Sequence, residues 1–148
     1  MNHYSKTLLA AALMLTAGTA CATEIKLGQQ LPLTQVKSLT QQVLTVGKST
    51  LRVVGVTDKG TMVANELGVV GLSQNEVLVS GAKPQQVKDA VKSLGLHPVE
   101  AGYYDSTGLS SLRFASLGDA AQARTRLTSA LHGAVVSLPV QYAEVKPR

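Results

Sequence analysis

The stretch that decides the fold runs from residue 76 to residue 95 and reads EVLVSGAKPQQVKDAVKSLG. Its start, Val77 to Val79, is a short apolar run that favours a strand. Pro84 stands where the first residue of a helix is favoured, and Gly95 is a good helix end. Between them, apolar residues recur at helical spacing. The stretch therefore predicts a strand followed by an amphipathic helix, with the stripe Val87, Ala90, Val91 and Leu94.

Further strand and helix signals continue toward the C-terminus. Residues 98–104 and 109–115 read as two strands joined by a turn. Asp119 is placed to cap a second helix that ends at Gly133. Residues 135–142 read as the last strand, with a kink at Leu138-Pro139. The predicted order is β-α-β-β-α-β, the ferredoxin-like unit with two helices on one face of a four-stranded antiparallel sheet.

The N-terminal half has a different pattern. Residues 43–46, 51–56 and 61–64 read as strands separated by glycine-containing turns, and residues 69–70 favour a further short strand. Helix signals are few in this half, and residues 24–40 are ambiguous, with Leu31-Pro32-Leu33 favouring an irregular segment. We therefore predict an α+β protein with a small all-β domain over residues 23–73, followed by a ferredoxin-like domain over residues 74–148.

The first 22 residues are typical of an export signal. Lys6 is their only charge, an apolar run follows, and Ala20-Cys21-Ala22 is a small-x-small cleavage site. Cleavage after Ala22 predicts a periplasmic or secreted protein. The alternative is a lipoprotein in which Cys21 carries the lipid. No later segment is long enough to span a bilayer, so no membrane association is expected once the signal is removed.

Residues that carry chemistry are sparse. Cys21 is the only cysteine, and His97 and His132 fall on separate predicted elements, so neither a metal nor a cofactor is expected. Residues 47–50 resemble the end of a phosphate loop, but the required earlier glycine is absent and a strand follows instead of a helix. No serine lies in a nucleophile elbow. The sequence therefore predicts a protein that is not an enzyme.

Charge and aromatic content argue against a nucleic-acid partner. The formal net charge is +5, the charges are scattered, and aromatic residues make up 3% of the chain. Nucleic-acid binding usually requires clustered basic residues and aromatic side chains on which bases stack. We therefore expect no nucleic-acid partner.

The end of the sequence carries a family resemblance. Val140-Gln141-Tyr142-Ala143-Glu144 resembles the Val-x-Tyr-(Ala or Val)-Glu signature that closes the propeptide domains of subtilisin-like serine proteases (inhibitor I9-type). Those domains share the β-α-β-β-α-β order. The resemblance covers the second half of the chain and implies a propeptide-like domain that binds a protease.

The resemblance also implies how the partner is bound. A propeptide precedes its protease, whereas this sequence stops at Arg148, so we expect an external chaperone that acts in trans on a subtilisin-like protease lacking its own propeptide. It would assist folding and then inhibit. Its extended tail would add as a strand to the substrate cleft, with Arg148 nearest the nucleophile. The cleft-binding residues would be Tyr142, Ala143, Glu144, Val145, Lys146, Pro147 and Arg148.

Acidic residues and two alternatives complete the sequence-based picture. In the propeptide family, acidic residues cap two helices on the protease surface, and Glu100, Asp105 and Glu144 are the candidates here. One alternative is a peptidoglycan-binding module of the sporulation-repeat type, which shares the ferredoxin-like order and export but usually has motifs that this sequence lacks. The other is a peptide-binding inhibitor without chaperone activity.

Overall fold

The computed structural model describes residues 24–143, which form two four-stranded antiparallel sheets and three helices. The structure is therefore mixed α and β, with one sheet in each half. In chain order the elements are α1 (Leu33–Leu39), β1 (Gln42–Val46), β2 (Ser49–Thr57), β3 (Gly60–Ala64), β4 (Val70–Ser73), β5 (Glu76–Ser80), α2 (Pro84–Ser93), β6 (Glu100–Tyr104), β7 (Leu109–Arg113), α3 (Leu117–Ala130) and β8 (Val135–Ser137).

The first sheet is a meander in the order β1-β2-β3-β4, in which each strand pairs with the next along the chain. The predicted strands and turns of this half are confirmed. At the first turn Gly47 has φ 63°, a left-handed conformation that glycine adopts without steric cost. The register between β2 and β3 shifts between Val53 and Gly55, so Val54 is an inserted residue.

Helix α1 corrects the prediction that residues 23–73 are all-β. It is a seven-residue helix without a side-chain cap at its start, so local signals for it are weak. Val36 nevertheless lies on its inner face and is 1% exposed, in a cluster with Val54, Ala64 and Val70. Burial of this side chain against the first sheet, rather than helix propensity, therefore stabilises α1.

The second sheet has the order β6-β7-β5-β8, and all its pairs are antiparallel. The predicted succession of strand, helix, two strands, helix and strand is present. Both helices pack on the sheet: α2 contacts β6 and β7, while α3 contacts β5 and β8. The Arg126 guanidinium also donates to the Leu94 carbonyl at 2.7 Å, which ties α3 to the end of α2.

Two details of the predicted second half are wrong. Ser116, not Asp119, caps α3: the Ser116 hydroxyl accepts from the Asp119 N–H at 3.1 Å. The last strand ends at Ser137 instead of continuing to residue 142. Beyond it, Gln141 forms an isolated bridge with Leu72 of β4. The chain therefore leaves the second sheet and reaches the edge of the first.

A single hydrophobic cluster joins the two sheets. Leu51, Val53 and Val63 of the first sheet share this cluster with Leu112 of the second. Helix α3 contacts β1 as well as β5 and β8, so it packs against both sheets. Its buried positions are mostly alanines, which allow close approach of a backbone. They are Leu117, Ala120, Ala121, Ala123 and Leu127.

Within residues 24–143, no helix is long and apolar enough to cross a membrane.

Candidate protein-interaction site

The second sheet has one buried face and one open face. Val77, Val79, Ser110 and Leu112 alternate along β5 and β7 and are fully buried on the side of α2 and α3. The intervening side chains point to the opposite side, because successive residues of a strand face opposite sides of a sheet. These residues form the surface that we call the outer face.

One end of the outer face carries a charged row. Glu100, Arg113 and Glu76 are neighbours across β6, β7 and β5. Arg113 and Glu100 form an ion pair of 3.1 Å. The Glu76 carboxylate accepts a hydrogen bond from the Ser111 hydroxyl. These contacts orient the charged groups toward one another, although an exposed ion pair contributes little to stability.

The other end of the outer face carries a mostly apolar row across all four strands, which we call the apolar row. It is formed by Tyr104, Leu109, Ser80 and Val135. Tyr104 is 52% exposed and Val135 is 64% exposed. The Tyr104 ring lies over Gly102: a Cβ at Gly102 would stand 2.7 Å from the Tyr104 hydroxyl oxygen. Glycine therefore allows the ring to lie flat on the sheet, where it extends the apolar surface.

The predicted acidic contacts lie at opposite ends of β6. Glu100 opens the strand and is held by Arg113, while Asp105 follows the strand in the exposed turn before β7. At a rise of about 3.3 Å per residue they are separated by roughly 16 Å. The structure therefore does not bring these two carboxylates together.

The residues predicted to bind a protease cleft are described only in part. Glu144, Val145, Lys146, Pro147 and Arg148 lie outside the described residues. Tyr142 is half-buried, and Ala143 is exposed and accepts a hydrogen bond from the Gln141 side-chain amide at 2.8 Å. The structure places Tyr142 against the protein's own first half.

The segment before Ala143 is joined to β4 by main-chain hydrogen bonds. Leu72 N–H donates to the Gln141 carbonyl at 2.8 Å, and Gln141 N–H donates to the Leu72 carbonyl at 2.9 Å. Val140 and Tyr142 flank this pair and lie over Gly71. A Cβ at Gly71 would stand 2.5 Å from the Val140 Cγ1 atom and 2.9 Å from the Tyr142 ring.

The resemblance implies that the sheet surface of the second half packs on a protease, but Gly71 and most residues of the outer face were not predicted from the sequence. The outer face is signalled by strands in which successive residues are all apolar, such as Val77, Leu78 and Val79, because one of each adjacent pair then lies on the side away from the helices. Gly71 is signalled by its place inside a strand, since a glycine there often marks the close approach of another backbone. Neither signal identifies the neighbour, which depends on tertiary contacts.

An open cleft of about 850 Å³ lies beside the segment around Gln141. It is bounded by the turn at Asp58 and Lys59, by Asn75, by Arg113 and by Gln141. The Asn75 side chain accepts from the buried Thr61 hydroxyl at 2.8 Å and is already engaged within the protein. Among the described residues, no three His, Cys, Asp or Glu side chains are grouped as they would be around a metal ion.

Comparisons with known proteins name no family for this chain. No family model matches it, and no curated protein matches it. A solution structure of the RNA-binding domain in a methenyltetrahydrofolate synthetase domain-containing protein is similar over part of the chain. It is 20% identical, and the match covers 51% of this chain and 81% of that one with a TM-score of 0.37.

Proposed function

We propose that this protein is an exported chaperone and inhibitor that binds a subtilisin-like serine protease in trans. In this proposal the second half, from β5 onward, is a ferredoxin-like domain of the propeptide type. The observation that carries the proposal is the four-stranded sheet whose helices cover one face only, with an ordered outer face on the other. Such a face suits docking to a partner protein.

The outer face supports this function through its chemistry. Burying the exposed parts of Tyr104 and Val135 against a partner would stabilise a complex by roughly 25 cal/mol per Å² of apolar surface. The charged row at the other end would fix the orientation. Glu100 pairs with Arg113 but its side chain is 69% exposed, so it would also face the N-terminus of a partner helix. Because the two rows differ in chemistry, a partner would bind the outer face in one orientation only.

The folding assistance follows from general kinetics. A large protease with a buried parallel sheet forms long-range contacts before burial compensates for their entropic cost, so it folds slowly. A partner that matches the late-folding surface lowers that barrier. If the partner also binds the native protease, it stabilises the product by mass action.

Inhibition is assigned to the residues that follow Ala143. Residues 144–148 contain two basic residues and a proline, and such a segment can lie along a substrate cleft as an added strand. With Arg148 nearest the nucleophile, the preferred partner would accept a basic side chain at that subsite. Glu144 and Asp105 remain candidate contacts to the protease surface.

A refolding assay tests the proposal. A denatured subtilisin-like protease without its propeptide is diluted into buffer with and without this protein, and the yield of folded protease is measured after the inhibitor is removed. We expect the yield to rise with the protein present. An unchanged yield, together with unimpaired activity of the native protease, would contradict the proposal.

Variants show which surface is responsible. Tyr104→Asp combined with Val135→Asp places charge on the apolar row and should abolish both effects while leaving the melting temperature nearly unchanged. Leu67→Asp is the matched control, because Leu67 is 70% exposed in the turn between β3 and β4, away from the outer face. If both variants behave alike, the outer face is not the binding surface.

A further inference from the structure

We propose that the first sheet positions the C-terminal segment: residues 140–142 act as an added edge strand on β4, and Gly71 is the positioning residue that makes this contact possible. The inference rests on the proposed function for its consequence, since the segment leads directly into the residues assigned to inhibition. It gives residues 24–73 a role that their sequence does not indicate.

The crossing from one sheet to the other is anchored at each step. Leu138 is buried in the cluster shared by the two sheets, and Val140 packs against the same cluster. Gln141 then pairs with Leu72 through two main-chain hydrogen bonds. Because backbone groups of an edge strand otherwise lack partners, β4 is a ready template for this pairing.

Gly71 provides the space for the two flanking side chains. Val140 and Tyr142 share one face of the segment because they are two residues apart. Both lie over Gly71, and any side chain there would overlap them at 2.5 to 3.0 Å. Its φ is not in the left-handed region, so the glycine is required here for space and not for backbone conformation.

The N-terminal segment completes the same edge. Gly28 N–H donates to the Val70 carbonyl at 2.8 Å, and Val70 N–H donates to the Gln29 carbonyl at 2.9 Å. A Cβ at Gly28 would stand 2.7 Å from the Tyr142 carbonyl oxygen. Residues 28–30 and 141–142 therefore lie next to each other along β4. Residues 28–30 occupy the remainder of this edge, so the pairing of the C-terminal segment with β4 cannot extend beyond Tyr142.

The consequence is a division of the predicted cleft-binding residues. Tyr142 is committed to the first sheet, so contact with a protease begins after Ala143. A segment that is fixed at its base loses less conformational freedom when its remaining residues bind. It is also held at a high effective concentration near the cleft once the outer face has docked. Inhibition should thus depend on the pairing of residues 140–142 with β4, which we call the anchor, whereas refolding assistance should not.

Hydrogen exchange on the isolated protein tests the anchor without any protease. In the wild-type protein we expect the Leu72 and Gln141 amides to be protected. In Gly71→Val the Gln141 amide should exchange at least roughly 10-fold faster, while the amide of Val79 in the second sheet is unchanged. Gly55→Val is the matched control, because a Cβ at Gly55 meets nothing within 4 Å. Unprotected amides in the wild-type protein would overturn the inference.

Inhibition of mature subtilisin, alongside the refolding yield, tests the consequence. Gly71→Val should weaken inhibition roughly 10-fold or more and leave the refolding yield near that of Gly55→Val. Equal inhibition by wild type and both variants would overturn the positioning role but leave the proposed function standing. A wild-type protein that neither inhibits nor assists refolding would overturn the proposed function, while hydrogen exchange still decides the anchor. If Gly71→Val does not fold, Gly71→Ala introduces the same overlap with a smaller side chain.

Discussion

The two sheets of this protein are buried to different extents. In the first sheet both faces enter hydrophobic clusters: Val63 packs into the cluster around α3, and the next residue, Ala64, packs into the cluster beneath α1. In the second sheet only the face toward α2 and α3 is buried, and Tyr104 and Val135 remain exposed on the other. The first sheet therefore serves mainly as support, while the second offers a surface.

The largest expected effect tests whether the two sheets form one unit. Leu127 is fully buried on α3, in the cluster that contains residues of both sheets. Leu127→Ala should lower the free energy of unfolding by about 2–5 kcal/mol, because it removes buried methyl groups and leaves a cavity. Thermal unfolding followed by circular dichroism measures this change.

The same experiment separates one unit from two. If the cluster couples the sheets, the Leu127→Ala protein unfolds in a single transition at a lower temperature. Two separate transitions would show that the sheets unfold independently and that α3 stabilises only one of them. Leu67→Ala, in an exposed turn, should change stability by no more than about 0.5 kcal/mol.

A second prediction contrasts the two faces of the second sheet through adjacent serines. Ser110 is fully buried, and within the described residues its hydroxyl has no hydrogen-bond partner. Ser110→Ala should therefore stabilise the protein by about 1 kcal/mol, since an unsatisfied buried polar group is removed. Ser111, on the outer face, donates to Glu76, so Ser111→Ala should destabilise by about 0.5–1.5 kcal/mol.

Chemical denaturation of both serine variants gives the sign of each effect. Opposite signs would support the assignment of the two residues to opposite faces. A destabilised Ser110→Ala protein would show that the buried hydroxyl has a partner, such as an internal water molecule.

The third prediction concerns the charged row on the outer face. Glu100→Gln removes the ion pair with Arg113. Both side chains of this pair are exposed to solvent. We expect a loss of stability of about 0.2–1 kcal/mol at low salt that disappears at high salt. A loss that persists in 1 M NaCl would mean that the pair is less exposed to solvent than the structure indicates.

The smallest effect is expected at alkaline pH and concerns Tyr103, which pairs with Ser110 and lies on the buried face of the second sheet. Burial raises the pKa of Tyr103 above its ordinary value of 10.0. The folded protein therefore holds this proton more tightly than the unfolded chain does. The contribution of Tyr103 to the free energy of unfolding is fully present below pH 10 and is lost as the pH rises through the folded-state pKa. Tyr103→Phe should remove this contribution, which urea unfolding at pH 9 and pH 11 measures. An equal decline in both proteins would contradict the assignment.

Most of the secondary structure follows from local pattern. The strand at Val77–Val79, the helix between Pro84 and Gly95 and the glycine-containing turns of the first half are predicted because periodicity and turn residues act over a few neighbours. Helix α1 is not predicted, because it has no side-chain cap and depends on the burial of Val36 by the first sheet.

The candidate site depends more on tertiary contacts. Glu100 and Asp105 are recognisable as exposed acidic residues, but their separation along β6 follows only from the strand that joins them. Tyr142 stands in an alternating pattern that favours a strand, and the pattern does not indicate which sheet that strand joins. The structure shows that it lies on Gly71 of the first sheet.

The sequence by itself determined the order of the elements from β1 onward, since hydrophobic periodicity and turn chemistry are properties of short segments. Only the tertiary structure decided that α3 joins two sheets, that one face of the second sheet stays open, and that residues 140–142 pair with β4. Each of these depends on which surfaces meet over long sequence separations. Burial and main-chain pairing select those contacts, and neither is encoded in the local pattern of a single segment.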